Sequence, residues 1–497
     1  MTPEEAIRRA DHGRADLREH EKSRKRREDY IHGEQDSPWA PDGIGAEHES
    51  LRQQSMANWM PLPVYAPIQR MRCEGMRSGL GDAVDDARWK NHWHANRMEA
   101  RQTTIYESMM THGRGIGSVW VNEKDKSKPI IRPQSVRNVY IHPDADDPFD
   151  TEYAVKVVTR NTARPNGFIL PEHVSRQETI AFVYDSDSWA KLRDVGGRWE
   201  PVNQGAHPMG RTPFVTFDYR PDANGNVFSP VDPLIPQQNA INTIRFNMLL
   251  AMQFSAFRQR VVTGFDPVAR DDHGQILYKR NPDGTLFLTA DGRKVPVLNE
   301  FGRAAVDRML VFNGDQTKVF DMPESNLANY VTMLTEFLTQ FFATSQVPPQ
   351  YLLSRMANLS GDAISGAEST LTSLQGELKR YANEGMVELF TLAALAADEE
   401  APHPDMEMLY ADTEVKSFAQ IVDGIQKLIT TGFPREAAYE MIPGANQAKV
   451  GRWMKMADAE MAKELDALKV GGDDLPDSDD TALQLAADAR RSDASAG

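Results

Sequence analysis

The chain has 497 residues, 40% of them hydrophobic, and its 56 Lys and Arg against 72 Asp and Glu give a formal net charge of -16. A chain of this length can bury a sizeable core in about two or three compact units, and its negative charge argues against tight DNA binding, which depends on Lys and Arg. The single cysteine, Cys73, excludes an intrachain disulfide and fits synthesis in a reducing cytoplasm. The sequence shows no signal peptide and no apolar run of ~20 residues, so it predicts a soluble protein with no membrane partner.

The N-terminal segment, Pro3 to Tyr30, is densely charged and helical in pattern. Its basic cluster, Arg24-Lys25-Arg26-Arg27, could bind nucleic acid. Acidic residues are interspersed with it, namely Glu19, Glu21, Glu28 and Asp29. The mixture favours a solvated helix or an intersubunit arm over a nucleic-acid arm.

A glycine-rich stretch, Gly113 to Gly117, looks like part of a dinucleotide-binding loop. Such a loop needs a strand before the glycines and a helix after them, so that the helix N-terminus meets the phosphate. Here an amphipathic helix precedes the glycines and a strand, Ser118 to Val121, follows. We interpret the stretch as a helix C-terminal turn, with further strands predicted at 154–159, 179–184 and 214–219.

Two other patterns could indicate metal chemistry. The Asp144–Asp147 cluster beside His142 has the carboxylates that a metal-dependent nuclease uses, but Asp-rich turns between strands are common because Asp bonds local backbone amides. His92 and His94 form a pair without a third ligand at zinc spacing, which favours packing or surface roles. The sequence therefore predicts no metal, no cofactor and no enzyme activity.

Two long helices follow. The first is predicted from near Pro236 to near Arg260, because its apolar residues recur at helical spacing and Pro suits a first helical turn. The second begins after Pro323, with Ser325 or Asn326 as N-cap. Its apolar stripe is Leu327, Tyr330, Val331, Leu334, Leu338, Phe341 and Phe342.

A turn-rich insert separates the two helices. Ile276 to Tyr278 and Leu286 to Leu288 predict a β-hairpin joined by the turn Asn281 to Gly284, and a second turn follows at Ala290 to Arg293. The insert has few large apolar residues, so alone it would bury too little surface to be stable. We expect it to complete its packing against another subunit.

The second helix must stop near Gln346, since each proline of Val347-Pro348-Pro349 pushes the residue before it out of the helical region. A loop leads to Ser360-Gly361-Asp362, where a third helix starts that extends towards Ala397. From Gly471 onward the composition predicts a disordered acidic tail.

In order and spacing, the chain from about Leu51 to Ala401 resembles the portal proteins of tailed double-stranded DNA bacteriophages of the siphovirus type, the head-tail connectors at one capsid vertex. The segments that carry the resemblance are Asn58–Val64, Trp89–Trp93 leading into Tyr106 and His112-Gly113, Gly210–Val215, Asp232–Asn242, and Val347–Leu352 followed by Ile364–Ala367.

The resemblance implies an α+β portal fold with a mixed α/β wing, a two-helix stem, a small β-rich clip, a tunnel loop, a long helix and a helical crown. The implied boundaries are 1–50 for the charged arm, 51–231 for the wing, 232–260 for the first stem helix, 261–323 for the clip, 324–346 for the second stem helix, 347–362 for the tunnel loop, 363–402 for the long helix, 403–470 for the crown and 471–497 for the tail.

The resemblance also implies site residues. The DNA-facing tunnel loop would hold Val347, Pro348, Pro349, Gln350, Tyr351, Arg355 and Asn358. The clip hairpin that docks the motor and adaptors would use Tyr278, Asn281, Asp283, Gly284 and Phe287. Candidates for the channel wall are Glu324, Glu336 and Gln340, which could equally form a solvated face or pair across subunits. Arg355 could touch phosphate or a neighbouring carboxylate.

The expected partners are other copies in a closed ring, a dodecamer, together with the major capsid and scaffolding proteins, the terminase large subunit, head-tail adaptors, and double-stranded DNA bound weakly and without sequence preference. The expected location is the portal vertex of the virion, after assembly in the host cytoplasm. Two alternatives stay open, a non-conducting structural adaptor or scaffold and a metal-dependent nuclease.

Overall fold

A computed structural model describes residues 1–40, 46–77, 86–162, 176–256, 260–263, 268–289, 291–298, 318–321, 327–348, 361–403, 405–411, 418–442, 445 and 447–470. The chain forms two compact units. The first unit comprises Met1–His32, Trp59–Ile235 and Phe342–Gly497, and the second comprises Gly33–Asn58 and Pro236–Phe341. No helix in the described ranges is long and apolar enough to cross a membrane.

The helices, in chain order, are α1 (Pro3–His32), α2 (Ala46–Ser55), α3 (Pro61–Ile68), α4 (Asp86–Arg88), α5 (Met98–His112), α6 (Leu234–Ala256), α7 (Leu327–Ser345), α8 (Gly361–Ala396), α9 (Phe418–Thr430), α10 (Arg435–Glu440) and α11 (Gln447–Val470). A π-helical turn, Trp89–Trp93, and a 3-10 turn, His94–Asn96, lie between α4 and α5. The three long helices predicted after residue 232 are therefore confirmed as α6, α7 and α8, but the predicted end of the first near Arg260 is wrong, because Arg260 begins a strand, Arg260–Thr263.

The strands are β1 (Cys73–Arg77), β2 (Arg114–Trp120), β3 (Ile130–Gln134), β4 (Val139–Pro143), β5 (Thr151–Thr162), β6 (Arg176–Tyr184), β7 (Ser188–Val195), β8 (Arg198–Ala206), β9 (Phe214–Asp218), β10 (Arg260–Thr263), β11 (Lys318–Asp321) and β12 (Glu407–Tyr410). They form a five-stranded sheet β4-β5-β6-β7-β8, a three-stranded sheet β3-β2-β9, and the pairs β1-β12 and β10-β11. All of these pairings are antiparallel. The strands predicted at 154–159, 179–184 and 214–219 are confirmed as parts of β5, β6 and β9.

Helix α8 packs on β9 and β2, and the contact depends on two glycines. A Cβ atom at Gly385 would lie 2.5 Å from Phe217 Cδ1, and a Cβ atom at Gly117 would lie 2.8 Å from Leu389 Cδ1. Phe217 and Leu389 are completely buried. Glycine at both positions therefore lets the helix approach the sheet more closely than any residue with a Cβ would allow.

Helix α1 lies across the five-stranded sheet, where its small residues allow close approach. Ala6 and Ala10 are completely buried, and a Cβ atom at Gly13 would lie 2.7 Å from Val155 Cβ. Ion pairs reinforce the contact, since Arg9 reaches Glu152 at 3.2 Å and Arg14 reaches Asp194 at 3.1 Å. The prediction of a solvated helix or intersubunit arm is therefore wrong, because one face of α1 is buried against its own chain.

The basic cluster of α1 is engaged within the chain as well. Its contacts are Arg24 with Asp16 at 3.3 Å, Lys25 with Asp29 at 2.6 Å, Arg27 with Asp232 at 2.6 Å, and Arg26 over the Tyr30 ring at 5.5 Å. Burial lowers the pKa of Arg24, and the neighbouring cations add to this effect. These contacts weigh against a nucleic-acid role for the cluster.

One strand departs from the predicted organisation. Strand β12 lies in the range assigned to a helical crown, yet it pairs with β1, with Met408 opposite Met76. Both side chains are buried. The range 403–470 is therefore not purely helical, because residues 407–410 join a sheet of the first unit.

A buried polar network fixes segment 33–58 to α6 in the second unit. Asn242, which is completely buried, accepts a hydrogen bond from the Ala57 N–H at 3.0 Å and donates to Gln35 Oε1 at 2.8 Å. Gln238 donates to the Ala57 carbonyl at 2.6 Å. Since a buried amide without partners is costly, the network fixes the path of the segment along the helix.

Candidate channel wall and docking surface

Helix α7 has an apolar stripe along one side and a polar face along the other. The polar face is exposed and carries Thr332, Thr335, Glu336 and Thr339. Glu336 is the only charged side chain in the helix, and Gln340 donates to it at 3.4 Å. The predicted wall candidates Glu336 and Gln340 thus share one exposed surface, while Glu324 lies outside the described residues.

The threonine hydroxyls of this face are bonded to the helix itself. Thr332 donates to the Ala328 carbonyl at 3.0 Å, and Thr335 and Thr339 donate in the same way, four residues back, at 2.9 and 2.8 Å. A hydroxyl has one proton, so these three have none left for a phosphate oxygen. The threonines were not among the predicted wall residues, although their spacing on the polar face could have revealed them.

Both long helices of the second unit also expose apolar side chains. Val331 is 55% exposed, Met333 is 50% exposed and, on α6, Met252 is 47% exposed. Helix α6 has a single charge, Arg245, which donates to the Ser55 carbonyl at 2.8 Å. These exposed apolar side chains offer surface for a contact with another chain.

The hairpin insert, residues 268–298, consists of three successive hairpins. The predicted hairpin is confirmed, with Arg280 paired to Leu286 across the Asn281 to Gly284 turn. The predicted second turn is also found, as Thr289 N–H bonds the Arg293 carbonyl at 2.9 Å, although Ala290 lies outside the described residues. An additional hairpin, which the sequence analysis missed, pairs Arg270 with Ile276.

Backbone hydrogen bonds join the three hairpins in closed rings. In one ring Lys279 N–H bonds Val295 O at 2.8 Å, Val295 N–H bonds Phe287 O at 3.3 Å, and Phe287 N–H bonds Lys279 O at 2.8 Å. A second ring joins Ala269, Leu277 and Val297 in the same manner. The turns repeat too, since Gly274, Gly284 and Gly292 all have positive φ, as such turns require.

The hairpin insert has an ordered backbone but no core of its own. None of its described residues is buried, and Leu277, Phe287 and Leu288 are 44%, 46% and 51% exposed. The predicted docking residues Tyr278, Asn281, Asp283 and Gly284 lie in the same insert, and Asp283 accepts hydrogen bonds from Thr285. Such a segment presents most of its surface to other molecules.

The base of the predicted tunnel loop is anchored. After α7 ends, Gln346 has a positive φ of 58° and the Val347 N–H bonds the Phe342 carbonyl at 3.2 Å. Val347 is 2% exposed and Pro348 is buried. Their burial disagrees with a DNA-facing role. The remaining loop residues, Pro349, Gln350, Tyr351, Arg355 and Asn358, lie outside the described residues, as does the tail 471–497.

The enzyme-like patterns have structural roles. Gly113 ends α5 with φ 84° and leads into β2, as predicted. In the aspartate-rich turn, Asp144 accepts from the Asp146 N–H at 2.8 Å. His92 is completely buried beside the Phe390 ring. The described ranges contain no group of three or more His, Cys, Asp or Glu that could hold a metal ion.

A family model described as phage portal protein, SPP1 Gp6-like, matches residues 18–463. The chain belongs to this family of phage portal proteins. The match extends beyond the segments on which the resemblance was based, and it includes α7 and the hairpin insert. The family is a structural one.

Curated relatives agree with this assignment. This portal protein is 23% identical over 422 residues to the portal protein of Mycobacterium phage L5, covering 81% of this chain and 79% of the relative. It is also 23% identical over 418 residues to the portal protein of Mycobacterium phage D29, covering 80% and 78%. Membership of the portal family makes this chain a virion component, the head-tail connector at the capsid vertex.

Two solved structures are similar at lower levels. A chain from the neck of an empty gene transfer agent particle is 12% identical with a TM-score of 0.41, covering 80% of this chain and 96% of its own. A chain from the virion of a native gene transfer agent particle is 11% identical with a TM-score of 0.42, covering 82% and 98%.

Proposed function

We propose that this portal protein closes head to tail into a dodecameric ring whose channel passes the genome during packaging and ejection. The observation that carries the proposal is the polar face of α7, which has one carboxylate and three self-bonded threonines. Ring closure requires heterologous contacts, and the exposed apolar residues of α6, α7 and the hairpin insert supply surface for them.

The polar face of α7 suits a wall along which DNA slides. Duplex affinity comes mainly from cations that replace counterions on the phosphates, and α7 has no cation. Its threonines can accept hydrogen bonds but have no proton for a phosphate. Ring symmetry would repeat Glu336 at one height, so a phosphate backbone would meet a weakly repulsive, sequence-independent surface.

The hairpin insert is the proposed docking site for the terminase large subunit and, later, for head-tail adaptors. Its ordered backbone without a core fits a segment that is completed by other proteins. We further propose that the loop after Pro348 projects towards the DNA, with Val347 and Pro348 as its buried base. Arg355 would be the charged residue of that loop.

The remaining parts of the proposal concern assembly. The ring would form in the host cytoplasm with the major capsid and scaffolding proteins and then occupy one vertex of the capsid.

If the protein were a non-conducting adaptor, the absence of cations from α7 would have no functional role. A nuclease role has no support in the aspartate-rich turn, where Asp144 and Asp147 accept hydrogen bonds from the backbone N–H groups of Asp146 and Phe149.

The charge of α7 provides a direct test in particles assembled with variant chains. Glu336→Gln should leave the amount of DNase-protected DNA within about twofold of wild type, because the surface stays free of cations. Glu336→Lys should lower it by about tenfold or more, since a ring of cations would hold the phosphates. Quantitative PCR of protected DNA measures both.

The matched control is Glu384→Lys, the same charge change at an exposed position of α8. It should package as wild type. Equal packaging by the Glu336→Lys and Glu384→Lys particles, with rings intact by mass photometry, would refute α7 as the channel wall.

A further inference from the structure

Two segments of the first unit form a basic patch on an otherwise acidic chain. One is the helical stretch before α5 and the other is the turn between β2 and β3. Their exposed basic side chains are Lys90, His94, Arg97, Lys124, Lys126 and Lys128. Against these five Lys and Arg stand Glu123 and Asp125 of the turn and the exposed Glu99 in the first turn of α5, so the patch stays positive where the chain as a whole is -16.

Asn96 holds the two segments together. Its side chain donates to the Pro129 carbonyl at 2.7 Å and accepts from the Ile131 N–H at 2.9 Å, and it is 9% exposed. The next residue, Arg97, has a left-handed backbone with φ 56°. Non-glycine residues adopt this conformation at some cost, and here it starts α5 with the guanidinium on the surface.

Most Lys and Arg side chains of the patch form no ion pair with a carboxylate in the described part of the chain. Within the described part of the chain, Lys128 pairs with Asp125 at 2.7 Å, but no carboxylate lies within 4.0 Å of Lys90, Arg97 or Lys126. Trp89, which precedes Lys90 in the chain, is half-buried, and its ring contacts His94 at 5.8 Å between centroids. The patch therefore offers positive charge around an aromatic surface.

An acidic loop, residues 144–150, has the complementary character. It contains Asp144, Asp146, Asp147 and Asp150 without any cation. The Asp144 and Asp147 carboxylates bond only the backbone of the loop, which holds it in one conformation. Phe149 is 61% exposed in its midst, an unusual position for a large aromatic side chain.

The patch and the loop lie at opposite ends of β2. The strand begins at Arg114, which lines one surface cavity together with Phe149 and Asp150. It ends at Trp120, where the basic turn begins. Seven residues at ~3.3 Å each separate the two ends by about 20 Å, so the surfaces cannot meet within one chain.

We propose that the acidic loop of one copy docks on the basic patch of the next copy. The inference rests on the proposed ring, because a contact between different surfaces at opposite ends of a domain is heterologous and can close head to tail. Phe149 would be the apolar anchor against Trp89, and the aspartates would surround it opposite the lysines, as buried aromatic anchors with polar rims do at interfaces.

Charge reversal tests the contact in the full-length protein. Asp146→Lys, which leaves the hydrogen bonds of the Asp144 and Asp147 carboxylates intact, should raise the protein concentration for half-maximal ring formation by about tenfold or more, and so should Lys124→Glu with Lys126→Glu, since like charges then face each other. The combined three-residue variant should recover most of the loss. Mass photometry measures ring formation, and circular dichroism checks that each variant folds.

The control is Glu19→Lys, a charge change at an exposed site on α1, which should assemble as wild type. Rings that form equally well in every variant would overturn this contact and leave the ring function standing. Failure of the combined variant to recover would also overturn it. A wild-type chain that forms no ring would instead remove the proposed function on which the contact rests.

Discussion

Replacing Gly385 by Ala should destabilise the first unit, because α8 has no room for the methyl group. The added Cβ would lie 2.5, 2.7 and 2.9 Å from three ring carbons of Phe217. That ring is completely buried, and its other edge lies 3.4 Å from the Cβ position of Gly117 in β2. The ring therefore cannot retreat without disturbing the sheet.

The size of the effect follows from two opposed contributions. Overpacking a well-filled core costs about 1–3 kcal/mol, whereas Ala in a helix interior is favoured over Gly by up to about 1 kcal/mol. We expect a net loss of about 1 kcal/mol in the free energy of unfolding, measured by urea denaturation and tryptophan fluorescence.

Gly376 in the same helix is the matched control, because a Cβ atom there would have nothing within 4 Å. Gly376→Ala should therefore stabilise the protein by about 0.5–1 kcal/mol. In a Phe217→Leu background, Gly385→Ala should no longer destabilise, because the smaller side chain leaves room for the methyl group. The reasoning would be refuted if Gly385→Ala were as stable as Gly376→Ala, or if its cost were unchanged in the Phe217→Leu background.

Three further predictions concern buried polar and titratable groups. Burial lowers the pKa of His207, so the folded state disfavours the protonated imidazole, and the free energy of unfolding should fall as the pH drops below about 6.5. His207→Gln should reduce the difference between the urea midpoints measured at about pH 7 and about pH 5. Burial raises the pKa of Cys73 to about 12, so a maleimide should label it only after denaturation, and rapid labelling of the native protein would contradict its burial. Asn242→Ala removes the acceptor of the Ala57 N–H and the donor to Gln35 Oε1, so it should lower the free energy of unfolding by about 1–3 kcal/mol, seen as faster proteolysis of segment 33–58; an unchanged rate would count against the network.

The sequence alone predicts the elements whose signals are local. Apolar spacing and a terminating Pro-Pro pair define α7, and the order of helix, glycines and strand identifies the turn at Gly113. The hairpin turn at Asn281 follows from its Pro-Asp-Gly composition. Each of these depends on residues close together in the chain.

Contacts between distant residues could not be predicted in this way. Strand β12 pairs with β1, which lies more than three hundred residues earlier, and the ring of bonds through Lys279, Phe287 and Val295 joins three hairpins at once. A charged helix such as α1 reads as solvated, because only the folded sheet reveals that Gly13 is in contact with Val155.

For the same reason, only some residues of the candidate site could be placed from the sequence. Glu336 and Gln340 share an exposed helix face because helical periodicity alone places them there. The burial of Val347 depends on which distant residues pack over it, and the local sequence around Pro348 does not identify those residues. The threonines of α7 follow the same periodicity, but the hydrogen bonds of their hydroxyls to the helix backbone depend on side-chain rotamers, which the sequence does not specify.

The central claim is that this chain forms a closed, conducting ring. Electron microscopy of the purified full-length protein, with mass photometry of the same sample to count subunits, tests it most directly. We expect closed rings of about twelve copies with a central opening wide enough for a B-form duplex, lined by α7. Small oligomers without a pore, or rings whose opening is too narrow for a duplex, would contradict it.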